Sequence, residues 1–234
     1  MDEQIINTID PSIKEILWHW SKKGIRFGLG LEKWNSSDYL SLGIVLQKYQ
    51  NKVKHGGMKL GLKGNKKLYF VKESITGNAG AYIRKGKGKY NVVLNIMGAA
   101  SLSVENDIIL FTNRASHTKY YIAHELGHAF DCNHVNQSFL FSSQEWKDWQ
   151  LVSGWQENPA GSGNWSCPKD EPAGLGAPSD YALDEAPLGD FAESFLFYLF
   201  DNDVEMRSVN PRSGVKGLNP AGPRFRYLTN KFSE

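Results

Sequence analysis

His124-Glu125-Leu126-Gly127-His128 reads H-E-x-x-H, and no other stretch constrains the fold as much. Its surroundings predict a helix. Thr118 to Asp131 contains no proline, and Ile122, Leu126, Ala129 and Phe130 recur at helical spacing as a core-facing stripe. Four residues apart, His124 and His128 fall one above the other on the opposite side. Two imidazoles so placed can bind one tetrahedral Zn²⁺, with Glu125 beside the metal to take a proton from a bound water. The other reading is an exposed helix that carries the pattern by chance. Gly127 costs such a helix about 1 kcal/mol relative to alanine, which predicts a neighbouring element packed close against that turn.

A catalytic zinc needs three protein ligands, so the fold must bring another donor to this helix. His134 is one candidate. With His124, Glu125 and His128 it matches H-E-x-x-H-x-x-G-x-x-H, except that Asp131 replaces the glycine that lets the chain turn back. A solvent-exposed histidine near a helix end is the preferred reading of His134. Asp190 and Glu193 form the second candidate pair, at the start of a helix that is almost wholly apolar from Phe195 to Phe200. A carboxylate entering such a helix must be paired or metal-bound. The alternative without a metal is a capping box, with Asp190 as N-cap and Glu193 three residues on.

The rest of the 234-residue chain predicts an α+β architecture in one domain with two lobes. The N-terminal lobe, about residues 1–135, opens with a helix from Pro11 to Trp20, capped by Asp10 and ended before Gly24, and a second from Ser37 to Val53. Strands are expected at Lys67–Glu73, Gly80–Arg84, Tyr90–Met97 and Asp107–Thr112, the second and third joined by a glycine-containing hairpin. The small sheet is expected to be mostly antiparallel and to lead into the H-E-x-x-H helix. The C-terminal lobe, about residues 136–234, is expected to be helical at Phe139–Val152, with Trp146 and Trp149, and at Leu188–Phe200. A Pro/Gly-rich tail then holds Arg224 to Tyr227. Ser153 to Ser179 is too long for a simple connection and is read as a lid, a specificity wall or a spacer.

Three segments resemble one family: His124 to Asp131 (H-E-L-G-H-A-F-D), Pro178 to Ala182 (P-S-D-Y-A) and Asp190 to Phe195 (D-F-A-E-S-F). They are similar to the zincin catalytic domains of anthrax lethal factor and the clostridial Pro-Pro endopeptidases, and to bacterial gluzincin-like proteins. The resemblance covers about Thr118 to Phe200. It implies a zincin-like metalloprotease fold, zinc as cofactor, and a protein or peptide substrate. It also implies that His124, His128 and a glutamate on the later helix hold the metal, with Tyr181 steadying the oxyanion of the tetrahedral intermediate. The family's ligand glutamate stands four residues before the motif's second glutamate, and that position is Gly189 here. The ligand role therefore falls to Asp190 or to Glu193, with the longer Glu193 favoured. An extended substrate is expected to add to an edge strand, Gly80–Arg84 or Asp107–Thr112.

Charge offers a rival. From Lys48 to Lys89 the chain carries twelve Lys and Arg residues against one acid, Glu73, although the net charge is only +2. Such a surface attracts anions, and the alternative function is a toxin, effector or binding module acting through it, with weak or no peptidase activity. The lysines alternate with Gly and Asn rather than stacking aromatics, so a solvated surface is the simpler reading. No run of about 20 apolar residues is present to span a membrane. Met1-Asp2-Glu3-Gln4 lacks the features of a signal peptide, so a cytoplasmic location is expected, although a toxin exported by a dedicated machine would look the same. Cys132 and Cys167 are too few for a disulfide framework and are expected to be free thiols.

Overall fold

The computed structural model describes residues 3–30, 32–55, 62, 67–73, 81–86, 105–111, 118–134, 144–160, 162, 164–167, 176–184, 186–201, 214 and 216–233. After a single turn, α1 (Glu3–Ile6), comes α2 (Pro11–Lys22), with proline in its first turn. Asp10 caps α2, accepting the Ser12 N–H at 2.8 Å, and Gly24 takes a left-handed φ of 109° beyond its end. α3 (Ser36–Lys52) starts with a capping box: Asn35 accepts from the Asp38 N–H at 3.0 Å, and Asp38 accepts from the Asn35 N–H at 2.7 Å.

Four strands, β1 (Ile25–Gly30), β2 (Leu68–Glu73), β3 (Ala81–Gly86) and β4 (Glu105–Phe111), form one sheet in the order β1-β2-β4-β3. Among the described strands of this sheet, β1–β2 and β2–β4 are parallel and β3–β4 is antiparallel. The expectation of a mostly antiparallel sheet is therefore corrected. The reason is β1, a strand whose Gly28 and Gly30 read as turn residues and have left-handed φ values of 71° and 123°. Gly30 is confined there, since a Cβ would lie 1.9 Å from the Lys72 carbonyl oxygen. From β1 the chain crosses over through α3 and returns to β2 in the same direction, as parallel pairing requires. β4 lies between β2 and β3, so Asp107–Thr112 is not the edge; among the described strands, β1 and β3 are. The expected strand Tyr90–Met97 lies outside the described residues.

The H-E-x-x-H helix, α4 (Thr118–His134), packs against β3, β4, α3 and the later apolar helix α7 (Ala186–Leu199). The C-terminal part adds α5 (Gln144–Ser153), a two-residue strand pair β5 (Gln156–Glu157) and β6 (Trp165–Ser166), the short α6 (Asp180–Asp184), and α8 (Pro223–Ser233). α8 was hidden by its Pro/Gly-rich lead-in. It buries Arg224, Leu228 and Phe232, four residues apart, and so has a regular inward stripe. One hydrophobic core joins both parts of the chain. Aromatic contacts run through it from Trp20 to Tyr49 (5.6 Å between ring centroids), from Tyr49 to Phe195 (6.1 Å) and from Phe195 to Phe232 (5.2 Å). No helix among the described residues is long and apolar enough to cross a membrane.

Candidate metal centre

α4 is covered on both sides, not only along one stripe: every residue from Tyr120 to Gly127 is buried, His124 and Glu125 included. The cover over the histidine face is α7. At their crossing Gly127 meets Ala192, and a Cβ on Gly127 would lie 2.9 Å from the Ala192 Cα. The glycine thus permits the close approach that its place in the helix predicted. That approach sets Glu193 against His124, with Oε1 2.9 Å from the imidazole Nδ1.

Glu193 is fully buried, and its hydrogen-bonding capacity is used within the protein. Oε1 also accepts from the Tyr120 hydroxyl, and Oε2 accepts from the Ser179 hydroxyl at 2.8 Å. Burial pushes its pKa up. The hydrogen bond and charge of His124, with the hydroxyls of Tyr120 and Ser179, more than offset this and hold it below the ordinary value. In the neutral tautomer that donates its Nδ1–H to Glu193, the His124 ring keeps its lone pair on Nε2. This is the arrangement by which a carboxylate fixes the tautomer of a metal-binding histidine.

The His128 ring lies 4.8 Å from that of His124, edge to face, and the Tyr181 ring lies 5.4 Å from His124. Tyr120 stacks on His124 at 6.1 Å. His124, His128, Tyr181 and Glu193 are therefore brought together, from three helices, with Glu125 next to His124 in α4. Sequence reasoning missed Tyr120 and Ser179. Tyr120 stands four residues before His124 and so shares its face, a signal that was readable; Ser179 precedes α6 as a helix cap, which composition alone does not tie to a glutamate fourteen residues away.

Glu193 sits on the Nδ1 edge of His124, where a carboxylate can orient the ring. Asp190 is not an N-cap, because α7 begins four residues earlier. Its Oδ2 receives Arg224 Nη2 at 2.7 Å and Trp155 Nε1 at 2.7 Å, and its Oδ1 receives Arg224 Nε at 3.0 Å and the Ser194 hydroxyl at 3.1 Å. Its burial is thus accounted for by a cation. At His134 the helix is unbroken through Asp131. Six residues of α-helix carry position 134 about 9 Å along the axis from His128 and roughly 120° round it, which separates it from the imidazole face.

Among the described residues no group of three or more His, Cys, Asp and Glu side chains is placed to hold a metal ion. The two imidazoles, one oriented by a buried carboxylate, fit two of the three protein positions of a catalytic zinc. Of the basic stretch, Lys48 lies over the Phe200 ring, Lys52 pairs with Asp201, and Lys72 is buried against Asp38 at 2.6 Å. These three charges are used inside the fold. No family model matches the chain, and neither a curated protein nor a solved structure matches it.

Proposed function

We propose that the chain is a zinc-dependent metalloendopeptidase of the zincin-like, gluzincin type, hydrolysing peptide bonds in a protein or peptide substrate. One observation carries this reading: the buried Glu193 carboxylate, 2.9 Å from Nδ1 of His124, in front of a second imidazole one helical turn away. A buried glutamate that accepts from Tyr120, Ser179 and the His124 ring has its most economical explanation in what it does to His124. His124 and His128 would hold the metal. The chemistry that a bound zinc supplies is a more acidic water and a polarised scissile carbonyl. Glu125 is next to His124 in the chain and buried, and it takes the water proton and passes it to the leaving amine. Tyr181 donates to the oxyanion as it develops. Glu193 keeps His124 in one tautomer and one orientation throughout. β3, which packs against α4 and is an edge among the described strands, is the lane for an extended substrate added by strand pairing.

The test is metal analysis of the purified protein combined with a peptide-library digest. The parent should hold one zinc that His124→Ala loses, and should cleave. Glu125→Gln should keep the zinc and lose cleavage by at least ~10²-fold, as expected for removal of a general base. Cleavage by Glu125→Gln at the parental rate would overturn the mechanism. A second reading is favoured by the commitment of Glu193 and Asp190 within the fold: a zincin-fold binding or effector module with weak or no peptidase activity. Parent protein that binds zinc and cleaves no member of the library would select it.

A further inference from the structure

Ser179 is fully buried and is bonded in two directions. Its hydroxyl donates to Glu193 Oε2 at 2.8 Å, and the same oxygen accepts the Ala182 N–H at 3.1 Å. The second bond caps α6, the short helix that carries Tyr181. A five-residue helix has almost no stability of its own, because nucleation costs more than so few bonds return. Its direction is set by what ties it down. On one side the tie is Ser179. On the other, the Pro178 carbonyl accepts from the Lys216 N–H at 2.9 Å and the Gly217 N–H at 3.0 Å. Next to these bonds, the Asp180 carboxylate occupies the place where a Cβ on Gly214 would stand, 2.0 Å from Oδ2. The turn 178–180 is thus clamped between Glu193 and the residues Gly214, Lys216 and Gly217.

Glu193 is the common point. One of its oxygens holds the imidazole of His124 and the other holds the cap of the Tyr181 helix. Two side chains from separate elements, whose rings lie 5.4 Å apart, are therefore registered from a single carboxylate. We propose that Ser179 is the positioning residue of this site, setting the Tyr181 phenol against His124 through its bond to Glu193. The proposal deepens the peptidase reading and rests on it for its kinetic consequence. Its structural consequence stands on the protein alone.

The experiment has two readouts. In metal-free protein with ¹³C-labelled tyrosine rings, the Tyr181 resonance, assigned with Tyr181→Phe, should shift in Ser179→Ala and stay in place in Ser179→Thr. Gly214→Ala, which drives a methyl into the Asp180 carboxylate from the far side of the clamp, should shift it as well. In zinc-loaded protein Ser179→Ala should lower kcat by ~10–100-fold with KM changed less than about twofold, the scale of a misplaced catalytic group. In a Tyr181→Phe background the same substitution should cost less than about threefold, because the group it positions has gone. Full additivity of the two losses, or an unmoved Tyr181 resonance in both Ser179→Ala and Gly214→Ala, would overturn the proposal. If Ser179→Ala does not fold, Gly214→Ala carries both measurements. A shifted resonance in a protein that hydrolyses no peptide would leave Ser179 as the positioning residue and overturn the peptidase reading instead.

Discussion

Asp190 and Glu193 lie three residues apart on one buried helix, yet their environments ask different things of them. Asp190 faces a guanidinium that also reaches the Ser153 carbonyl at 2.8 Å, so it ties α7 to α8 and to the end of α5. Removing one partner of such a pair strands the other charge in the interior. Asp190→Asn is expected to cost about 3–5 kcal/mol of stability, read by chemical denaturation, and to leave zinc affinity unchanged. Glu193→Gln should behave in the opposite way: zinc affinity should fall by about 10–100-fold, because the charged acceptor against Nδ1 becomes a neutral amide that no longer enforces one tautomer. A zinc affinity that drops with Asp190→Asn would return Asp190 to the metal. That both acids are buried and satisfied was legible from the apolar run after Ser194. Their partners were not, because Arg224, Ser179 and Tyr120 are brought in by tertiary packing and not by local spacing.

The elements were readable where one face is apolar and the ends carry capping residues. Asp10 before Pro11 marks α2, α3 was expected from spacing without its Asn35–Asp38 capping box, and the H-E-x-x-H helix was expected from the absence of proline and its own stripe. Strand direction was not readable, since it depends on pairing, and β1 was concealed by its glycines. The crossing of α4 and α7 is the element on which the site depends. Gly127→Ala sets a helix-propensity gain of about 1 kcal/mol against a methyl placed 2.9 Å from the Ala192 Cα, where only backbone can yield. Overpacking of this kind costs about 1–3 kcal/mol, so the variant is expected to melt below the parent. Separation of the helices should also lengthen the His124–Glu193 contact and weaken zinc binding. Parental melting together with parental zinc affinity would show that the crossing tolerates the methyl and that Gly127 has no part in the site.

At the scale of the molecule, the expected two lobes share one interior. Tyr49 on α3 meets Phe195 on α7, which meets Phe232 on α8, and the Lys54 N–H donates to the Phe232 carbonyl at 3.0 Å. Lys52 adds a bond to the Tyr198 carbonyl at 2.7 Å. The first helices and the last one therefore lose packing together if either withdraws. Unfolding followed by tryptophan fluorescence and by far-ultraviolet circular dichroism should give coincident transitions, with Trp18, Trp20 and Trp34 reporting on the first part and Trp146, Trp149, Trp155 and Trp165 on the second. Replacing each group of tryptophans by phenylalanine in turn separates the two signals. Two midpoints would mean that the lobes fold independently and that α7 belongs to only one of them. Because His124 stands on α4 and Glu193 on α7, a single transition also implies that chelation of a bound zinc lowers the midpoint of every probe by the same amount, through loss of a ligand that binds only the folded state.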